Sequence, residues 1–163
     1  MAASGQALQP VIYLAGCAGR VMAPQADSLD NRSLAQVSAD LLAKAGYQLI
    51  TSAGLDQQCC GMPFLSKGQT AAAEFKQQQL NRWLLDVSKN GAIPIFSDSS
   101  PCSLTLKGKL DPRLNLIDSI DFIHDYVLPK LTITPIQNKV ALHISCSAQQ
   151  LGQGRRLTEL AAA

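Results

Sequence analysis

Val11-Ile12-Tyr13-Leu14-Ala15, followed at once by Gly16-Cys17, is the stretch on which the reading of the fold turns. A short β-branched and aromatic run that ends at a glycine reads as a buried strand leading into a turn. From Asn31 the pattern becomes helical. Leu34, Val37, Leu41, Leu42 and Ala45 recur at helical spacing, with Ser33 or Asn31 as N-cap and Gly46 as the stop. Residues 47–52 (YQLITS) read as the next strand, and 54–68 as a turn-rich loop carrying Cys59-Cys60, Pro63 and Lys67. A second helix follows at once, with Thr70 as its N-cap and Ala73, Leu80, Leu84 and Val87 along one stripe, and ends at Asn90-Gly91.

The alternation continues beyond it. Residues 92–96 read as a third strand, and the polar turn 97–101 delivers Cys102 near the start of a short helix running towards Lys109. Residues 114–117 read as a short strand. Asp118 or Ser119 then caps a helix containing Ile120, Ile123, Val127 and Leu128, halted by Pro129. Residues 132–138 read as a linker into another strand, 140–144. Such βαβα order predicts an α/β protein: a three-layer Rossmann-like fold with a mainly parallel sheet and helices on both faces. The last stretch, 147–163, reads as a glycine-broken loop and an uncapped helix from Arg155, which predicts an excised piece of a longer protein.

Composition narrows the class. The 163 residues, 47% hydrophobic and 16% charged, suffice for one domain, or one domain and part of a second, with a core that needs no disulfides. Fourteen basic against twelve acidic side chains leave a formal net charge of +2 with no long run of either sign, so nothing calls for nucleic acid or an anionic membrane as partner. No apolar run approaches the roughly 18 to 20 residues of a transmembrane segment. Residues 1–10 lack the pattern of a secretory signal, and read as a disordered or extended segment in a cytoplasmic protein. Five cysteines, two of them adjacent, cannot all pair internally, which suits a reducing compartment.

Each cysteine follows a predicted strand: Cys17, Cys59-Cys60, Cys102 and Cys146. In open α/β sheets ligands bind beyond the carboxyl ends of the strands, so these thiols are expected to converge on one rim. A lone cysteine is usually a small buried hydrophobe. Four strand-end positions bearing cysteine favour a soft metal instead, either zinc or an iron–sulfur cluster. Zinc knuckles bring close CxxC pairs, whereas here 42 residues separate Cys17 from Cys59 and Cys60 from Cys102. Adjacent cysteines fit one tetrahedral ion poorly but can reach different irons of a cluster, so the scattered set favours the larger object.

Cys17, then Cys59-Cys60-Gly61, then Ser99-Ser100-Pro101-Cys102 resembles the CCG cysteine-rich domain, whose pattern is a lone Cys, a Cys-Cys-Gly and a Cys-x-x-Cys. The phrases CCGMPFLSKG (59–68) and LHISCS (142–147) are similar to iron–sulfur oxidoreductases that include flavin-dependent D-lactate dehydrogenases, components of glycolate oxidase and the small chain of the anaerobic glycerol-3-phosphate dehydrogenase. The cysteine-rich chain of heterodisulfide reductase is a more distant relative. The family carries the motif twice, in two Rossmann-like halves. The resemblance therefore implies a first cysteine-rich domain over 11–135 and the truncated start of a second over 136–163, opened by Cys146. It further implies a [4Fe-4S] cluster, or zinc as in some family copies, on Cys17, Cys59, Cys60 and Cys102.

Ser99 departs from the pattern, standing where the family has the first Cys of Cys-x-x-Cys. It is expected to hydrogen-bond to a sulfur rather than to ligate, because a serine alkoxide is a poor ligand beside thiolates near neutral pH. Gly61, Lys67, Arg20 and His143 are the expected supporting residues. His143 is similar to the histidine before the family's second lone Cys, where it would donate to sulfur. The resemblance implies electron transfer from FAD, held elsewhere in a parent flavoprotein that oxidises a 2-hydroxy acid such as D-lactate, to a quinone or other acceptor. The parent would lie in the cytoplasm or peripherally on the inner face of the cell membrane. The chain has no flavin-binding pattern and is not expected to be active alone.

Other readings compete. A structural zinc or metal-free scaffold is the main alternative. A thiol-nucleophile enzyme would use Cys102 at its helix start, with His143 as a conceivable base and no assignable orienting residue. Gly16-Cys17-Ala18-Gly19-Arg20 invites a phosphate-loop reading but matches neither nucleotide motif. His124 reads as a surface or core-edge residue. Trp83 and Phe75 read as packing residues of the second helix.

Overall fold

The computed structural model describes residues 7–22, 24, 30–134, 136 and 139–163. The expectation of a disordered or extended 1–10 lies largely outside the described residues; Gln9 and Pro10 open the first strand. The strands are β1 (Gln9–Leu14), β2 (Tyr47–Ile50), β3 (Ile95–Ser97) and β4 (Leu116–Asp118). The helices are α1 (Cys17–Val21), α2 (Leu34–Lys44), α3 (Met62–Leu65), α4 (Thr70–Val87), α5 (Ser100–Leu106), α6 (Ser119–Phe122), α7 (Cys146–Gln150) and α8 (Gly154–Ala162). The four strands form one sheet in the order β2-β1-β3-β4, every pair parallel. The α/β class is as the alternation predicts.

Register assigns the faces. Tyr13 pairs with Phe96 and Phe96 with Ile117, while Gln9 pairs with Tyr47, so Tyr47, Val11, Tyr13, Phe96 and Ile117 share one face of the sheet. Phe122 of α6 packs edge-on against Tyr47 and Phe96, at 5.2 and 5.5 Å between ring centroids, which places α6 on that face. Ser97 and Asp118 point the other way. Ser103 of α5 donates to Asp118 Oδ2 at 2.7 Å, and Ser100 to Oδ1 at 3.2 Å, so α5 covers the second face. α4 is tied to the loop that follows α5: Asn81 Nδ2 donates to the Lys109 carbonyl and Asn81 Oδ1 accepts from Asp111 N–H. Helices thus cover both faces, and the core between the layers is built on Val11, Ile12, Leu42, Leu80, Leu84, Ile95, Phe96, Leu106, Phe122 and Val127.

Local chemistry sets the element ends. Ser33 caps α2 in a reciprocal box, its hydroxyl accepting from Gln36 N–H while Gln36 Oε1 accepts from Ser33 N–H. α4 starts at Thr70, so Thr70 is not its cap as expected; Gln69 stands there and makes no side-chain cap bond, and the helix buries Ala73, Gln77, Leu80 and Leu84 before giving way to left-handed backbone at Lys89 and Asn90. Asp118 caps α6 by accepting from Ile120 N–H, and the helix runs on through a wider turn over Ile123–Val127 to a tight one at Leu128–Lys130, where Pro129 stops it. The loop expected over 54–68 contains a 3-10 turn, Leu55–Gln57, and the helix α3.

Three expectations are corrected. Residues 140–144 form no strand; Val140, Leu142 and Ile144 are exposed at 66%, 42% and 37%. Apolar alternation alone does not make a strand, which needs a paired edge, and this segment instead leads into α7, which packs on α5. The stretch read as a glycine-broken loop begins with α7, because Ser145 accepts from Ala148 N–H and starts a helix one residue before the loop was expected. Phe75 is 65% exposed, since two residues from Ala73 and from Gln77 places it about 200° around the helix from both. Trp83 does pack against the core, its indole N–H bonded to the Ala53 carbonyl.

α8 is held to the 119–127 segment by polar contacts. Gln153 donates to Asp121, Arg156 pairs with Asp125 at 3.0 Å, and His124 lies between Asp125 Oδ1 at 2.6 Å and Glu159 Oε2 at 2.7 Å. Hydrogen bonding to Asp125 and then Glu159 raises the His124 pKa above its ordinary value. A raised folded-state pKa means that this contribution to stability is fully present below the unfolded-state value of about 6.5 and is lost as pH rises through the folded-state value. Two measurements follow. An NMR titration should show the His124 ring titrating above an exposed histidine, and His124→Gln should remove that pH dependence from the urea midpoint. Phe122→Ala should cost about 3–5 kcal/mol in urea denaturation, because it empties the ring cluster between α6 and the sheet.

Candidate metal centre

The strand order reverses its winding between β1 and β3. From β1 the chain moves outward to β2, then crosses back to β3. A crevice beyond the carboxyl ends of the strands at such a point is where open α/β sheets bind ligands. β1 ends at Leu14 and releases Ala15, Gly16 and then Cys17, the first residue of α1. β3 ends at Ser97, and Asp98-Ser99 leads into α5, which carries Cys102 in its first turn. The loop after β2 reaches the same place with Gln58, Cys59 and Cys60 ahead of α3.

Cys17, Cys59, Cys60 and Cys102 line one recess together with Leu14, Ala15, Arg20 and Gln58. Cys60 is buried, Cys59 and Cys102 are half-buried, and Cys17 is exposed. Two of the sulfurs have a hydrogen-bond donor beside them. Arg20 Nη2 lies 3.3 Å from Cys17 Sγ, and the Gly61 N–H 3.4 Å from Cys59 Sγ. Cys60 and Cys102 interact with each other, and the Met62 backbone lies by Cys60 and Ser99 by Cys102. The Cys60 hydrogen bond, aided by Ser99 and the Arg20 charge, draws the Cys102 pKa down against burial and the nearby Asp98. The same interaction, with burial, pushes the Cys60 thiol up.

Close packing fixes the frame around the sulfurs. Gly61 has φ +86°, and a Cβ there would stand 2.9 Å from the Ala73 carbonyl oxygen; Gln77 Nε2 meanwhile donates to the Cys60 carbonyl. A Cβ on Gly16 would meet Ser99 Cβ at 2.7 Å, so only glycine lets the first cysteine loop lie against the third. Asp98 joins these two loops, accepting from Tyr13 OH and from Gly16 N–H, each at 2.5 Å. Burial, then the Asp98 hydrogen bond and charge, raise the Tyr13 pKa and keep its hydroxyl a neutral donor.

The remaining expected residues stand apart. Ser99 touches Cys102 from outside the recess lining. Lys67 is exposed just past α3, and Cys146 and His143 are exposed on and before α7; none of the three lines the recess. His124 lies at the α8 contact. Asp98, Tyr13, Gln58 and Gln77 were not singled out from the sequence, although Asp98 directly precedes the Ser99–Cys102 turn. Among the described residues, no three His, Cys, Asp or Glu side chains stand close enough to form a ready-made metal site. The thiols share a recess rather than a finished coordination sphere.

These are the features of a cysteine-rich α/β domain. Residues 11–107 match the family of CCG cysteine-rich domains, and the chain belongs to that family. The match spans the four recess cysteines and ends before Cys146. Searches of curated proteins and of solved structures find no match. Membership is consistent with metal or iron–sulfur binding in electron transfer. Among the described residues no helix is long and apolar enough to cross a membrane.

Whether the donor set fits such a group can be judged from the chain itself. Four thiols from three loops line one recess, with N–H donors on Cys17 and Cys59, which is the setting that holds thiolate ligands and tunes them. Arg20 Nε, on a side chain lining the recess, is a buried donor without a partner, suited to an electron-rich guest. The residues therefore fit a thiolate-bound metal or cluster. Gly61→Ala should destabilise the protein by roughly 1–3 kcal/mol, from left-handed strain and the Ala73 contact, as read by urea denaturation; a smaller loss would mean that the loop relaxes.

Proposed function

We propose that this chain is the electron-transfer cysteine-rich domain of a larger flavin- and iron–sulfur-dependent 2-hydroxy acid dehydrogenase of the D-lactate type, passing electrons towards a quinone or similar acceptor. Cys17, Cys59, Cys60 and Cys102 hold a [4Fe-4S] cluster, and Cys146 opens a second copy of the domain over 136–163. The observation that carries the reading is that the four cysteines of the family motif, from three strand-end loops, line one recess. When bound, the cluster supplies a one-electron relay. The chain's own part is to present thiolates, to shield them beside Leu14 and Ala15, and to fix the loops through Asp98 and Arg20.

The thiol-nucleophile reading is favoured by the lowered pKa of Cys102 at the start of α5. It lacks a histidine base, because neither His124 nor His143 lines the recess. Anaerobic reconstitution with ferrous iron and sulfide separates the readings. The expected result is a brown species with broad visible absorption and about four irons per chain, lost in Cys60→Ser and kept in Cys146→Ser. Zinc uptake without iron would favour the scaffold reading, and stoichiometric inactivation by alkylating Cys102 alone would favour the nucleophile. In the intact enzyme, Cys59→Ser should slow transfer to the acceptor while substrate still reduces the flavin; equal loss of both half-reactions would count against electron transfer here.

A further inference from the structure

Arg20 reaches three separate points of the rim. Its Nη1 donates to the Leu55 carbonyl at 2.5 Å, and its Nη2 to the Gln58 carbonyl at 3.0 Å and towards Cys17 Sγ at 3.3 Å. Leu55 and Gln58 belong to the loop that carries Cys59 and Cys60, whereas Cys17 opens α1, three residues before Arg20 on the same helix. One planar guanidinium therefore joins the first cysteine to the loop of the second and third, a task suited to its forked donors and not to an ammonium. Its positive charge also acts on Cys102.

We propose that Arg20 is a positioning residue that locks the Cys17 helix onto the Cys59–Cys60 loop, and that its charge and its N–H···S contact raise the reduction potential of whatever the cysteines bind. The second half rests on the proposed metal-binding function; the first half does not. A hydrogen bond to a ligand sulfur and a nearby cation both favour the more negative, reduced form of a thiolate-bound centre. Neutralising Arg20 should therefore shift the potential to more negative values. Lysine in its place should keep the charge while losing the fork.

The test compares wild type, Arg20→Gln and Arg20→Lys in two measurements. The first is amide hydrogen exchange without added metal. Exchange in the turn Leu55–Gln57 and at Gln58 should speed up selectively in both variants, and unchanged exchange there overturns the lock. The second is anaerobic reconstitution with ferrous iron and sulfide, followed by redox titration. Arg20→Gln should bind about 10-fold more weakly or worse and titrate at a more negative potential, while Arg20→Lys titrates close to wild type. Equal potentials in wild type and Arg20→Gln overturn the tuning role. Should Arg20→Gln fail to fold, Arg20→Lys still carries the exchange measurement and decides the lock. A loosened loop together with a wild type that takes up no iron would uphold the lock and overturn the proposed cluster, so the two failures are distinguishable.

Discussion

The carboxylate of Asp98 holds the molecule's functional edge together. It stands just past β3 and accepts from the Tyr13 hydroxyl of β1 and from the Gly16 backbone N–H. Hydrogen bonds to an ionised acceptor in a partly buried setting are stronger than neutral ones, and these two bridge the neighbouring strands where the winding of the sheet reverses. The first and third cysteine loops thereby meet at a fixed spacing, close enough that Gly16 tolerates no side chain against Ser99. A negative charge so near thiolates is unfavourable for them, and Arg20, with hydrogen bonds on the sulfurs, offsets it.

The recess is assembled almost entirely from backbone turns rather than from a dedicated polar core. Its sulfurs receive donors from the Gly61 main chain and from one guanidinium. The layers behind it are apolar and rigid: Ile12, Ile95, Leu80 and Leu84 are fully or almost fully buried. This division of labour, with a packed scaffold below and cysteine-bearing loops held above it, is the usual one in α/β proteins. It explains how thiols distant in sequence can share one rim without close-spaced ligand pairs.

Much of this was legible from residue order. The apolar spacing of Leu34 to Ala45 and of Ala73 to Val87 marks two helices, because both bury one stripe; α2 starts at its expected cap Ser33, whereas Thr70 is the first residue inside α4 and not its cap. The β-branched runs ending at glycine or serine mark the strands. Residues 140–144 carry the same alternation without becoming a strand, since pairing is a tertiary property that composition cannot supply. Phe75 misled because an aromatic residue suggests packing, whereas its angular position on α4 faces away from the core. The cysteines were visible by type and placement. Asp98 and the two carbonyls held by Arg20 were not, because a single carboxylate in a polar turn and a backbone acceptor carry no pattern of their own.

The segment carrying Val140, Leu142 and Ile144 has a consequence for handling the protein. It presents three apolar side chains to solvent, and among the described residues no strand of the sheet pairs with it. Unladdered backbone with such side chains is a template for strand addition by a neighbouring molecule. A charge placed at Leu142 would blunt that template without touching the thiol rim.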